Sequence, residues 1–498
     1  MGFYEELTKV ANNVAVTENG AIAYRTSGSA LVDMNFEVSA FRNNETAGVD
    51  MFRKAYAENP KLAVLYLFYL RDCRGGLGER NTFRNCFAWL ANNHVNMAKA
   101  VLSLISEYGR WDDLVALVDT KVKKDALAII SAQLKADIDN MKNGKGISLL
   151  AKWMPSINTS SNKTRALARV ICREFMNMPY SEYRKTLAKL RAYTNVVETK
   201  ISANKWDEVD YNTVPSMANL KYKNAFLKHD TNRRTAYLEA LVKGDSNVKI
   251  NASTLTCVDI VEQYNDGHGY GYWGNMVKSL DVTLEELWKA LPSFDVADTV
   301  VVRDGSGSMS GTPLTVATAL AIYTAQHNKG EFKDKYITFS ADPRVIDISK
   351  CTTLHDALIR SYKEDDISNT NLKKVFRLIL DTARMNKYKN EDLPKNILVI
   401  SDMQFDAGYM AMPLMSEIEL EYRQYGYDLP KLIFWNVAGS VNRTIPVTVN
   451  KNGVILISGY TQSLLKMVMS NETDPYKALV AILATERYKA VADALDLV

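Results

Sequence analysis

The C-terminal part of the chain contains the stretch Thr299-Val300-Val301-Val302-Arg303-Asp304-Gly305-Ser306-Gly307-Ser308, which indicates how that part folds. Its apolar half predicts a buried strand. The half that follows places Asp304, Ser306 and Ser308 at alternate positions of one tight loop. Their oxygens are hard ligands, of the kind that Mg²⁺ prefers. The stretch therefore predicts a strand that ends at a loop able to bind a divalent cation.

The same strand belongs to a longer pattern, because short apolar runs alternate with amphipathic segments from Phe294 onward. This alternation predicts an α/β domain in which helices cover both faces of a doubly wound parallel sheet. The predicted strands are 299–302, 336–339, 397–400, 432–437 and 454–457.

Two further oxygen donors occupy positions that a parallel sheet brings to one edge. Asp402 follows the predicted strand 397–400, and Thr370 precedes a helix predicted from Leu372. Ligands of such sheets bind beyond the carboxyl ends of the strands. The predicted metal ligands, with water completing the coordination, are Asp304, Ser306, Ser308, Thr370 and Asp402. The alternatives are a capped turn without a metal, and a site that stays empty in a domain that serves only for packing.

The N-terminal half has the periodicity of helices, since apolar residues recur there at three- and four-residue spacing. The segments and their connections are short, which favours stacked helical hairpins of the HEAT or armadillo kind. The predicted fold class is thus an all-α, HEAT-like helical repeat domain followed by an α/β domain. The predicted boundaries are 1–290 for the helical domain, 295–470 for the α/β domain and 471–498 for a C-terminal helix.

Basic residues are concentrated in one part of the helical half. Residues 141–250 contain 20 Lys and Arg against 9 Asp and Glu, although the net charge of the chain is only +4. Such a surface favours a phosphate backbone as partner, with nearby aromatic side chains stacking on bases. The alternative is a solvated charged face over an aromatic core. The predicted RNA-binding residues are Lys163, Arg165, Arg169, Arg173, Arg184, Lys185, Lys189, Arg191, His229 and Arg233.

Several functional classes are disfavoured by the sequence. The five cysteines lack CxxC spacing, which is typical of a reduced, cytoplasmic protein. No apolar run is long enough to span a bilayer. The five histidines fall in no catalytic signature, and the predicted metal site has only two carboxylates. We therefore predict a cytoplasmic protein that is not an enzyme and does not enter a membrane.

The metal-binding pattern resembles the metal-ion-dependent adhesion site of von Willebrand factor A domains. The resemblance rests on the Asp-x-Ser-x-Ser loop at Asp304, with Thr370 and Asp402 later in the chain. It implies a Rossmann-like fold for residues 295–470, five ligands that hold the cation directly or through water, and capture of a partner's acidic residue by the cation.

The helical half, followed by such a domain, resembles the Ro autoantigen architecture, in which a TROVE domain of HEAT-like helices closes into a ring and binds RNA. The similarity to an uncharacterised TROVE-like family with the same C-terminal domain is greater, and it rests on stretches 71–80, 108–114, 152–156, 158–161, 183–185 and 249–252. The resemblance implies a ribonucleoprotein: a non-catalytic protein whose helical domain binds small RNA and whose C-terminal domain binds a divalent cation, most favourably Mg²⁺, and a protein partner. The alternative is a metal-dependent protein–protein scaffold without RNA.

Overall fold

The computed structural model describes residues 8, 11–42, 44–265, 277–340, 342–364, 370–410, 412–438, 444–449, 451–465, 472 and 474–497. The chain divides into two compact units, and each unit takes residues from distant parts of the sequence. Unit 1 contains Met1–Ala63 and Ala252–Ala484, and unit 2 contains Val64–Asn251 and Thr485–Val498. The predicted domains are consecutive in sequence. In the structure, the N-terminal segment Met1–Ala63 shares a unit with the sheet.

The strands of the described chain all lie in unit 1. They are β1 (Val14–Val16), β2 (Ile22–Tyr24), β3 (Val296–Ala297), β4 (Thr299–Asp304), β5 (Asn328–Lys329), β6 (Lys335–Phe339), β7 (Val345–Asp347), β8 (Asn396–Ser401), β9 (Lys431–Asn436) and β10 (Val454–Ser458).

One six-stranded sheet dominates unit 1, in the order β10-β9-β8-β4-β6-β7. Five of its strands are parallel, and the edge strand β7 is antiparallel to β6. All six residues of β4 and of β8 are buried, as expected of central strands covered on both faces. Two small sheets stand apart from it: β1 and β2 form an antiparallel pair, and β3 pairs with β5 in parallel.

Helices make up most of the remaining described chain. In the N-terminal part they are α1 (Ala30–Phe36), α2 (Val38–Phe41), α3 (Glu45–Glu58), α4 (Pro60–Arg71), α5 (Arg80–Asn93), α6 (Val95–Val101), α7 (Ile105–Tyr108), α8 (Trp111–Val115), α9 (Lys123–Lys142), α10 (Leu150–Trp153), α11 (Asn162–Val170), α12 (Tyr180–Tyr193), α13 (Val197–Ser202), α14 (Ser216–His229) and α15 (Thr231–Val242). They continue with α16 (Cys257–Tyr264), α17 (Val282–Lys289), α18 (Thr312–His327), α19 (Leu354–Lys363), α20 (Leu372–Met385), α21 (Leu414–Gln424), α22 (Pro475–Leu483) and α23 (Lys489–Asp496).

The N-terminal segment belongs to unit 1 because its apolar side chains complete the core of the sheet. Val32 and Phe36 of α1 are buried in one cluster with Val302 of β4 and Phe434 of β9. Burying such side chains removes roughly 1.5–3 kcal/mol of unfavourable hydration for each one. Helix α1 therefore packs against the sheet as well as against the neighbouring helix α3.

The prediction of a helical N-terminal region and a C-terminal sheet is confirmed at that level, and the protein is mixed α/β. The HEAT-like stacking and the ring stay predictions. The sequence analysis missed β1, β2 and β7. Each of these strands is only three residues long. None of the described helices is both long and apolar enough to cross a membrane.

Candidate metal centre

The candidate metal centre begins where two neighbouring strands end. β4 and β8 run parallel with Arg303 opposite Ile400, so Asp304 and Asp402 emerge at the same edge of the sheet. Asp304 is fully buried, and Asp402 is only 6% exposed. The register of two apolar strands thus places two carboxylates side by side with little water around them.

Hydroxyl groups connect these carboxylates. Ser401 Oγ donates to Asp304 Oδ2 over 2.6 Å, and the backbone N–H of Ser306 donates to Asp304 Oδ1 over 2.9 Å. The hydroxyls of Ser306 and Ser308 lie 3.1 Å apart. The Ser308 hydroxyl also lowers the pKa of the Asp402 carboxyl group. The structure therefore brings four of the five predicted ligands together, namely Asp304, Ser306, Ser308 and Asp402.

Thr370, the fifth predicted ligand, makes no direct hydrogen bond to the other four in the described chain but is linked to them by Gln404. Its Oγ1 is 2.8 Å from the carbonyl oxygen of Gln404 and 2.9 Å from Asp406 Oδ1. The backbone N–H of Gln404 in turn donates to Asp402 Oδ1 over 3.1 Å. Thr370 is thus connected to the centre through Gln404, and within the described residues it makes no hydrogen bond to the other four.

The electrostatics of the centre favour a cation. Burial, with the nearby charge of Asp402, raises the pKa of Asp304 to about 7. Burial also raises the pKa of Asp402, and the charge of Glu18 adds to the rise. Within the described part of the chain neither Asp304 nor Asp402 forms an ion pair with a basic side chain. A divalent cation would supply the missing positive charge, and hydroxyl and carboxylate oxygens suit Mg²⁺.

The donor set is poor in carboxylates. Among the described residues no group of three or more His, Cys, Asp or Glu side chains is arranged to hold a metal ion. The fit to a cation therefore depends on the serine hydroxyls as much as on Asp304 and Asp402.

A turn from the far N-terminus lies beside this centre, and the sequence analysis did not find it. Thr17 Oγ1 donates to the carbonyl oxygen of Phe405 over 2.6 Å. Asn19 Nδ2 donates to Thr370 Oγ1 and to the carbonyl oxygen of Gln404, both over 2.7 Å. Asn19 thereby occupies an acceptor position of the Thr370 hydroxyl. No local sequence signal links residues so far apart in the chain.

The predicted RNA-binding residues lie in unit 2 and fall into two groups. Five are exposed on α11 and α12 and make no hydrogen bond or ion pair within the described residues: Lys163, Arg169, Arg184, Lys185 and Lys189. Near them, Arg165 donates to Asn162 Oδ1, and the guanidinium of Arg173 lies 5.0 Å from the ring centroid of Tyr180.

The other group is engaged in local structure. Arg191 donates to the carbonyl oxygens of Ala151 and Met154, both over 2.8 Å, and Arg233 donates to that of Val209 over 2.6 Å. His229 stacks on Trp206 with ring centroids 4.6 Å apart. These three side chains are placed to stabilise unit 2.

Two family models cover most of the chain. The model described as "Domain of unknown function (DUF2828)" matches residues 17–132 and 125–291, which together exceed half of the chain. The chain belongs to the DUF2828 family. A second model, "Domain of unknown function (DUF7788)", matches residues 298–490, the part that contains the candidate metal centre. "Uncharacterized protein L728" of Acanthamoeba polyphaga mimivirus is 30% identical over 519 residues, covering 95% of this chain and 87% of the viral protein.

These matches correct the family expected from the sequence motifs. The assignment to a TROVE-like and von Willebrand A family with the Ro autoantigen architecture is wrong, because the matching families are DUF2828 and DUF7788 and neither a TROVE nor a von Willebrand A family is found. Short motifs such as Asp-x-Ser-x-Ser report local chemistry, and unrelated families can share them. The metal-centre hypothesis therefore depends on the geometry of the residues themselves.

Proposed function

We propose that the protein is a non-catalytic binding protein that holds a divalent cation, most favourably Mg²⁺, at the carboxyl edge of its sheet. The proposal is supported by the buried carboxylates of Asp304 and Asp402, which meet there without a basic partner in the described chain. Asp304, Ser306, Ser308 and Asp402 would hold the cation, with Thr370 contributing through water. The bound cation supplies a positive charge able to bind an acidic group of a protein partner.

The composition of the centre favours binding over hydrolysis. Metal-dependent hydrolysis commonly uses several carboxylates to hold two metal ions or to activate a water molecule. Here two carboxylates are combined with the hydroxyls of Ser306 and Ser308. A cation with few anionic ligands keeps much of its positive charge, and it binds a further carboxylate readily.

The test compares cation-dependent binding by the full chain and two variants. Mn²⁺, whose free form is measured by electron paramagnetic resonance, is titrated into the wild-type protein, Asp304→Ala and Asp428→Ala. Asp428 is an exposed control at the amino end of β9. We expect the wild-type protein and Asp428→Ala to bind one Mn²⁺ and Asp304→Ala to lose it. Equal binding by all three would overturn the proposal.

We propose RNA binding by unit 2 as a second function, on the strength of the exposed cations of α11 and α12. Lys163 and Arg169 lie on α11, and Arg184, Lys185 and Lys189 follow on α12. Exposed Lys and Arg side chains without acidic partners neutralise phosphates at little desolvation cost, and they release counterions when they do so. Cytoplasmic RNA is the expected polyanion, since the cysteines are free thiols.

Charge reversal tests this second function. In the test variant, Lys163, Arg184 and Lys189 are changed together to Glu. In the matched control, the exposed Lys333, Lys350 and Lys387 of unit 1 are changed together to Glu. Binding of a labelled RNA stem–loop is measured between 50 and 200 mM salt. We expect the first variant to bind weakly, with a salt slope reduced by roughly 2, and the control to match the wild type. If the wild-type protein binds no RNA at low salt, the function is that of a protein-only scaffold.

A further inference from the structure

Unit 2 contains a cleft of about 380 Å³ directly after the carboxyl end of α12. The residues that line it come from two segments, within 194–200 and 209–215. Sites that hold small organic ligands commonly have volumes of roughly 300–1,000 Å³. The cleft is therefore large enough for one small ring system, and neither proposed function has used it so far.

The lining of the cleft is apolar at its base and polar at its rim. The side chains of Val197, Val209 and Val214 are buried and belong to one core cluster of unit 2. Asn195 and Asp210, which also line the cleft, are exposed. This division suits a ligand that has an apolar face and a polar edge.

The polar groups of the rim keep hydrogen-bonding capacity in the folded protein. Asn195 has a left-handed backbone with a φ of 48°, which Asn adopts more readily than most residues, and its amide makes no hydrogen bond within the described chain. Asp210 Oδ1 accepts from the backbone N–H of Asn212 over 3.1 Å, whereas its Oδ2 accepts from no described residue. Together they offer one amide donor and two acceptors to a ligand.

The charges around the cleft favour a neutral ligand over a phosphate. The carboxylate of Asp210 is balanced by Lys200, whose Nζ also donates to the carbonyl oxygen of Glu208 over 2.7 Å. The carboxyl end of α12 adds a partial negative charge, because the dipoles of a helix point that way. A phosphate group is therefore disfavoured inside the cleft, although the exposed cations of α12 suit one nearby.

Those cations lie close to the cleft along the helix. Lys185 and Lys189 are one helical turn apart on one face of α12, and both are exposed. Lys189 precedes Thr194, the first lining residue, by five positions, which is roughly 7.5 Å along a helix axis. An RNA strand whose phosphates lie along α12 would thus bring a base to the cleft.

We propose that this cleft binds one unpaired adenine of an RNA strand held on α12. The inference rests on the RNA binding proposed for unit 2. The adenine amino group has two hydrogens, so it can donate to Asn195 and to Asp210, while a ring nitrogen accepts from the Asn195 amide. Uracil has a single ring donor and cannot satisfy both acceptors. The cations of α12 then supply affinity, and the cleft supplies selectivity.

The test compares oligo(A) and oligo(U) of equal length, which carry the same number of phosphates. Their dissociation constants are measured by fluorescence anisotropy at low salt for the wild-type protein, Asn195→Gly and Asn177→Gly. Glycine keeps the left-handed backbone at position 195 and removes only the side chain. Asn177 is the matched control, because it is exposed, has a φ of 43° and precedes the amino end of α12.

We expect the wild-type protein and Asn177→Gly to bind oligo(A) roughly 5- to 150-fold more tightly than oligo(U), the range for one well-formed bidentate contact to a base. Asn195→Gly should lose most of this preference and bind oligo(U) like the wild type. Stacking within the free RNA is the same for every variant, so a changed ratio reports the protein.

The outcomes separate the two proposals. If the wild-type protein binds neither RNA at low salt, RNA binding by unit 2 fails and the inference fails with it. If it binds both RNAs equally, or if Asn195→Gly keeps the preference for oligo(A), the role of the cleft is overturned and RNA binding stands.

Methyl resonances of the wild-type protein supply a readout that needs no phosphate. Adenosine is expected to shift the methyl signals of Val197 and Val209 in the cleft, and uridine at the same concentration should shift them less. The buried Val101 of α6, which does not line the cleft, should be unchanged. Unshifted cleft signals, or equal shifts with both nucleosides, would contradict adenine binding at this site.

Discussion

The hydroxyl of Ser401, the last residue of β8, donates a hydrogen bond of 2.6 Å to the carboxylate of Asp304, the last residue of β4. This bond joins the two strands at the edge where the candidate ligands meet. It also stabilises the ionised form of Asp304, because it lowers the pKa of a carboxyl group that burial raises. Ser401 was not among the predicted ligands, and its role in the centre is to orient Asp304.

We predict that Ser401→Ala weakens cation binding without removing it. Loss of the hydroxyl leaves the Asp304 carboxylate less well oriented and harder to ionise, and lost supporting partners commonly cost 10- to 100-fold in metal affinity. Mn²⁺ titration measures the effect. The control is Ser361→Ala, since the buried hydroxyl of Ser361 has no hydrogen-bond partner among the described residues. Wild-type affinity in Ser401→Ala would contradict this role.

The raised pKa of Asp304 predicts how stability depends on pH in the absence of a cation. Its folded value is about 7, against 3.8 for an unperturbed Asp, so the folded protein binds the extra proton between these limits. Stability is therefore lost as the pH rises from about 4 to about 7. Thermal unfolding in chelator at pH 5, 6, 7 and 8 measures this trend. The wild type should lose stability relative to Asp304→Asn as the pH increases, and a constant difference would contradict the assignment.

The edge of the sheet was predictable because its signals are local. Apolar runs identify β4 and β8, and a residue that directly follows a parallel strand lies at its carboxyl edge. Asp304 and Asp402 could therefore be placed together from the sequence. The contact between Asn19 and Thr370 could not, because these residues are 351 positions apart and the hairpin that presents Asn19 has strands of three residues.

The sequence also did not allow the structural role of each basic residue to be predicted. An arginine donates equally well to a phosphate and to a backbone carbonyl. Whether Arg191 faces solvent or the carbonyl oxygen of Ala151 in α10 depends on how α10 and α12 pack, which the charge pattern does not encode. The pattern located a basic region but did not separate its exposed cations from its structural ones.

We predict that Arg191 is structural, whereas Lys189, two residues earlier, is not. Arg191 donates to two backbone carbonyls and, over 2.9 Å, to Ser156 Oγ. Arg191→Lys cannot reproduce this planar set of bonds, and we expect it to cost about 2 kcal/mol in the free energy of unfolding. Lys189→Ala should change it by less than about 0.5 kcal/mol. Urea unfolding followed by circular dichroism measures both, and equal stabilities would show that the Arg191 bonds contribute little.

One ionic contact of unit 2 involves Asp113, whose side chain is fully buried. It accepts hydrogen bonds from Arg71 Nε over 2.8 Å, Arg84 Nε over 2.6 Å and the backbone N–H of Arg110 over 2.9 Å. Asp113→Asn leaves the buried guanidinium of Arg71 without its counter-charge, which costs roughly 3–5 kcal/mol in the free energy of unfolding.

The neighbouring Asp112 provides the matched control. Its side chain is 23% exposed and pairs with Arg84 and Arg110. Pairs that water reaches contribute little, so we expect Asp112→Asn to cost at most about 1 kcal/mol. Urea unfolding of the two variants under one set of conditions measures their free energies of unfolding. Because the chemical change is the same, the difference reports the effect of burial. If Asp113→Asn is no less stable than Asp112→Asn, the buried pair with Arg71 does not stabilise unit 2.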